Sequence, residues 1–131
     1  MQVLVPVDGS DCSMRALRFA TEFARRFDAT LDVVHFTDSQ GPGTDELRAN
    51  VEAVLEAEGL DGETELVGDV RLSDFGASTQ VGKDILSLVE ERGYDHVVMG
   101  HHGTGRVGKL ILGSAAETVT RATTVPATVV P

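Results

Sequence analysis

The stretch Gly100–Ser114, GHHGTGRVGKLILGS, sets Gly100, Gly103 and Gly113-Ser114 in a G-x2-G-x9-G-S spacing. An apolar run, HVVMG, leads into it, and SAAETVTRA, which reads as a short helix, follows it. Glycines let backbone N–H groups approach an anion, and the first turn of a helix leaves donors unpaired and partly positive. A strand running into such a loop and then into a helix N-terminus is therefore a phosphate-holding arrangement. It also implies a fold in which strands and helices alternate.

The rest of the chain keeps that alternation. Gln2 to Val7 is a continuous apolar run, the pattern of a strand buried on both faces of a parallel sheet. Ser10 or Asp11 caps a helix whose apolar face is Ala16, Phe19, Ala20, Phe23, Ala24 and Phe27. Leu31 to Phe36 reads as a second strand, and Thr44 caps a second helix with Leu47, Val51, Val54 and Leu55 inward and Gly59 at its end. Thr64 to Val70 alternates loosely and is read as the third strand, while RLSDFGAST has no readable pattern. Val81, Ile85, Leu88 and Val89 mark a third helix closed by Gly93, His96 to Met99 a fourth strand, Ser114 to Ala122 a fourth helix and Ala127 to Val130 a last strand. This order implies one domain over residues 1–131, an α/β three-layer sandwich around a parallel sheet with right-handed crossovers.

Composition narrows the function. A net charge of −10 argues against nucleic acid, whose phosphates need clustered Lys and Arg. No apolar run is long enough to cross a bilayer, and Met1 leads directly into a strand without a signal-peptide pattern. With a single cysteine, the expectation is a soluble protein of the reducing cytoplasm. Only Lys83 and Lys109 are lysines, and so acidic and lysine-poor a surface fits a halophilic origin, where dense salt screens self-repulsion.

Two shorter glycine patterns overlap the loop and fail. GTGRVG matches a dinucleotide fingerprint, but the strand that follows, VPATVV, has no carboxylate to hold a ribose. GTGRVGK approaches a P-loop, but Leu110 stands where a magnesium-binding Ser or Thr belongs.

The longer pattern resembles the signature of the ATP-binding universal stress proteins, G-x2-G-x9-G-(S/T). VPVDGS after the first strand, HF closing the second, MGHHG closing the fourth and the final VPATVV are similar to that family as well. The resemblance covers nearly the whole chain; the segment Asp69 to Thr79 departs from the family's usual short link. It implies a five-stranded parallel sheet in the order 3-2-1-4-5, Rossmann-like and related to adenine nucleotide alpha hydrolases. Ligands in such sheets bind where the strand order reverses, beyond the carboxyl ends of strands one and four. By resemblance Pro6, Val7 and Asp8 line the nucleoside part, Phe36 flanks adenine, and Met99, Gly100 and Gly103 hold ribose and the first phosphates. Gly113, Ser114 and Ala115 then serve the remaining phosphates, and His102 lies in the same loop. Arg106 and Lys109 read equally as solvated loop charges or as counter-charges to phosphate. The implied ligand is ATP, or AMP or ADP, with Mg or Mn. The implied assembly is a homodimer through the C-terminal strand.

Plainer roles stand beside these. Asp8 can cap the turn into the first helix, and Ser114 with Glu117 spells a capping box. His101 and His102 are adjacent and make a poor metal pair, and Cys12 reads as structural. No residue set suggests fast chemistry, so the expected protein is a nucleotide-binding stress-response and signalling module with slow ATP hydrolysis at most. The alternatives are an ATP pyrophosphatase or adenylyl transferase, whose candidates would be His101, His102 and Lys109, and a dimeric scaffold without nucleotide.

Overall fold

In the structure, a computed structural model, strands and helices alternate along the chain. Residues 1–37, 42–59, 70–76, 81–102 and 113–131 are described, side chains at 37, 42–44 and 70–76 excepted. The elements are β1 (Gln2–Val7), α1 (Asp11–Phe27), β2 (Thr30–Thr37), α2 (Pro42–Ala57), β3 (Val70–Gly76), α3 (Val81–Arg92), β4 (His96–Gly100), α4 (Ser114–Ala122) and β5 (Ala127–Val130). Every strand pair is parallel. Four strands with described side chains run β2-β1-β4-β5, and β3 pairs by its backbone with the outer side of β2. The parallel α/β sheet expected from the alternation is the sheet observed.

Period-two burial divides the core between two faces. Val3, Val5 and Val7 of β1 and Leu31 and Val33 of β2 pack under α1 and α2, against Ala16, Leu17, Ala20, Ala24, Leu47 and Val51. Leu4, Val34, Val97 and Met99 face the other way, against Ile85, Leu88 and Val89 of α3 and Ala116 and Val119 of α4. Alanines every fourth residue let α1 lie close to the sheet.

Four details correct the sequence reading. The third strand is Val70–Gly76, inside the segment that looked patternless; residues 64–69, where it was expected to start, lie outside the described residues. The second helix opens at Pro42, so Thr44 is within it and not its cap; proline suits a first helical position because the N–H it lacks would have no intrahelical partner. Phe19 and Phe27 do not face the core but are 41% and 57% exposed. Finally, β4 runs one residue further, to Gly100.

At the other end of the sheet, β2 carries a buried charge. Asp32 accepts from the Tyr94 hydroxyl at 2.5 Å, both side chains being almost fully buried. Burial first, then the Asp32 carboxylate, pushes the phenol from 10.0 up to about 12. Because the folded-state value lies above the unfolded one, the stabilisation is complete below pH 10 and is lost as pH rises from 10 to about 12. Tyr94 is the chain's one tyrosine and there is no tryptophan, so ultraviolet titration reads it alone. A midpoint near 12 is expected for the folded protein and near 10 in denaturant; a folded midpoint near 10 would dissolve the Tyr94–Asp32 pair.

Candidate functional site at the strand-order reversal

β1 and β4 are neighbours in the sheet without being consecutive in the chain, and their helices leave to opposite faces. They part early: the β1–β4 register has only Val3↔His96 and Leu4↔Val97. Pro6 supplies a reason. Both the N–H and the C=O of Gln2 bond Asp95 on the β4 side, and backbone groups along a strand alternate in direction, so residue 6 also faces β4. A proline there has no donor for β4, which helps the two strands to separate into a crevice.

The crevice holds a cavity of about 330 Å³. Pro6, Val7 and Asp8 enter from the end of β1, Phe36 from β2, and Met99 and Gly100 from β4, with His102 just beyond. Gly113, Ser114 and Ala115 close it from the start of α4. Ten of the thirteen candidate residues thus line one cavity. The other three, Gly103, Arg106 and Lys109, lie outside the described residues. Sequence reading missed Ser13, Val81, Ile85 and Ala116. The inward faces of α3 and α4 were readable, but not that both reach this end of the sheet.

The turn after β1 is built around Asp8. Its Oδ1 accepts from the Ser10 N–H at 2.9 Å, and its own N–H donates to Ser13 Oγ at 3.3 Å. Ser13 Oγ in turn donates to the Ser10 carbonyl at 3.0 Å, and Ser10 Oγ caps α1 by accepting from Ser13 N–H at 3.1 Å. Asp8 therefore has the turn-capping role and still presents an exposed carboxylate to the cavity.

The start of α4 differs from the capping-box reading. Gly113, not Ser114, is the N-cap, with φ −61° and ψ 155°, and among the described residues no side chain caps the helix. Glu117 pairs instead with Arg121 at 2.9 Å. The Gly113 N–H is already committed to the His101 carbonyl at 2.9 Å. The first-turn donors without an intrahelical acceptor are then those of Ser114, Ala115 and Ala116, all lining the cavity.

Cys12 holds the site's base together, as a structural cysteine would. Its buried thiol donates to the Val130 carbonyl at 3.0 Å, while its sulfur accepts from the His101 N–H at 3.0 Å. Gly100 is needed by the same contact: a Cβ there would meet Cys12 C and Ser13 N at 3.0 Å. The rings of His101 and His102 pack edge to face, 5.8 Å apart, and among the described residues no group of three His, Cys, Asp or Glu could hold a metal.

Chemically the cavity has two ends. Phe36, Val81, Ile85 and Met99 offer an apolar slot, and Asp8 with the open end of α4 offers an acceptor and a set of donors. Such a space suits a flat, weakly polar ring bearing hydroxyls and an anionic group. A larger cleft of about 620 Å³ lies between α1 and α2, lined by Arg15, Arg18, Asn50 and Glu58, but it has no comparable apolar slot.

The universal stress protein family model matches residues 1–131, and the chain belongs to that family. Universal stress protein A homolog 1 of Coxiella burnetii is 30% identical over 89% of this chain and 86% of its own length. Among solved structures, a universal stress protein in complex with cAMP has a TM-score of 0.76 at 21% identity, over 100% of this chain and 96% of that one. The Archaeoglobus fulgidus universal stress protein in complex with dAMP has a TM-score of 0.72 at 22% identity, covering 100% and 98%. No helix among the described residues is long and apolar enough to cross a membrane.

Proposed function

We propose that the cavity binds an adenine nucleotide and that the protein acts as a nucleotide-dependent binding module in a stress response. The observation carrying this reading is the N-terminus of α4, uncapped among the described residues, facing an apolar slot at the strand-order reversal. Similarity to proteins solved with cAMP and with dAMP supports adenine as the base. On this reading Phe36, Ile85 and Met99 hold the ring, and Asp8 accepts from a ribose hydroxyl. Ser114 and Ala115 donate their N–H groups to phosphate. Gly103, Arg106 and Lys109 complete the phosphate end when the nucleotide is ATP. Asp8 is the only carboxylate among the described residues of the cavity lining, so those residues do not themselves build a site for Mg or Mn. A divalent cation would enter on the phosphates. Turnover, if any, is slow, and the protein works in the cytoplasm as a homodimer joined through β5.

Mass spectrometry of small molecules released from the purified, denatured protein tests the reading. An adenine nucleotide is expected in near-stoichiometric amount, or after incubation with about 1 mM ATP or AMP, which half-fills a site worth only about −4 kcal/mol. Protein that neither carries nor retains an adenine nucleotide under those conditions would overturn it.

A further inference from the structure

We infer that the aromatic face of α1, formed by Phe19, Phe23 and Phe27, joins the open edge of β5 in a single contact surface for a second copy of this chain. The inference rests on the proposed homodimer and names a part of its interface that strand pairing alone does not include.

The three rings follow one another along the helix at four-residue spacing, with centroids 6.3 Å apart for Phe19–Phe23 and 4.6 Å for Phe23–Phe27. Contacts at both ends fix this face alongside β5. Toward the helix start, Arg15, one turn before Phe19, donates from Nε to the Pro131 carbonyl at 2.7 Å, just past the end of β5. Further down, Phe23 packs on His96 at 4.9 Å, and His96 Nε2 lies 2.9 Å from Thr128 Oγ1 on β5. The strip therefore runs the length of β5 on one side of the sheet. β5 itself is the last strand in the sheet order, and its four residues are only half-buried.

Area argues that the strand needs the strip. Four residues extend about 13 Å, and so short a ladder falls well below the roughly 800 Å² per partner of a stable interface. The exposed parts of Phe19 and Phe27, 41% and 57%, add about 200 Å² if each side chain offers about 200 Å². Aromatic side chains at the centre of a contact are also the type that carries most of its energy.

Symmetry selects the occupant. Antiparallel pairing of β5 with its own copy places the two-fold axis perpendicular to the sheet, so both α1 helices lie on the same face, their aromatic strips toward each other across the paired strands. Such a surface is complementary to itself, as a two-fold contact requires. Each copy carries a net charge of −10, so an uncharged aromatic contact also offsets the repulsion between them.

Sedimentation velocity of wild type and of a Phe19→Gln, Phe27→Gln double variant, at matched salt, tests the inference. Glutamine removes the apolar surface without adding charge, and both positions are exposed, so circular dichroism should match wild type. A variant with Val129→Pro is the control for strand pairing. The expected result is a wild-type dimer at micromolar concentration and a dimer at least thirty-fold weaker in the double glutamine variant, with nucleotide binding retained. A wild-type dimer that the glutamines leave unchanged and the proline variant weakens would overturn the aromatic strip while keeping the strand pairing. A wild-type monomer throughout would overturn both, and neither result bears on nucleotide binding, which is read separately.

Discussion

Gly82→Val is expected to cost about 3 kcal/mol of stability and to lower the melting temperature by roughly 10 °C. Gly82 is the second residue of α3, and a Cβ there would stand 2.6 Å from Thr118 Cβ and 3.2 Å from Ala115 Cα. Thr118 cannot turn away, because the nearest atom is its own Cβ, so α4 as a whole must move. Opposing this, replacing a helical glycine ordinarily returns up to about 1 kcal/mol, the full amount for alanine and less for valine. Overpacking wins for valine, and Gly82→Ala should follow in the same direction with a smaller cost. Because Val81, Ile85, Ala115 and Ala116 line the cavity from these two helices, forcing them apart should also weaken ligand binding. A thermal melt of Gly82→Val within a degree of wild type would mean that α3 and α4 do not approach as closely as described.

Much of this architecture was legible in the sequence because its central strands are buried on both faces. Val3 to Val7 had to be a continuous apolar run, and Leu31, Val33 and Val34 one broken only by Asp32, and such runs stand out. β3 was misplaced because it is an edge strand. VRLSDFG carries Arg71, Ser73 and Asp74, charges and hydroxyls that an edge tolerates and that read as a loop. On α1 the two four-residue series looked like one apolar face. Residues three apart differ by about 60° around a helix, enough to send Ala16, Ala20 and Ala24 onto the sheet and leave Phe19 and Phe27 exposed. The cap of α4 failed for a non-local reason: S-x-x-E fits a capping box, but the His101 carbonyl fixes Gly113 as the residue before the helix. Gly82 could not be found at all, since its need arises only where α3 meets α4. The cavity was the most readable feature, because both the reversal of strand order and the glycine spacing point to the same place.

Calorimetric titration of wild type and Gly113→Val with ATP and with adenosine tests the central claim, that nucleotide phosphates sit on the start of α4. Gly113 has φ −61° and ψ 155°, a conformation valine adopts without strain, so the substitution adds bulk and not backbone stress. Its N–H is bonded to His101 in either case, and the donors of Ser114 and Ala115 stay in place. What changes is the room beside them. The account predicts that wild type binds ATP and that Gly113→Val loses at least about thirty-fold in ATP affinity, about 2 kcal/mol, while adenosine, which has no phosphate, loses much less. Unchanged ATP affinity in a folded Gly113→Val protein, or an equal loss for ATP and adenosine, would contradict it.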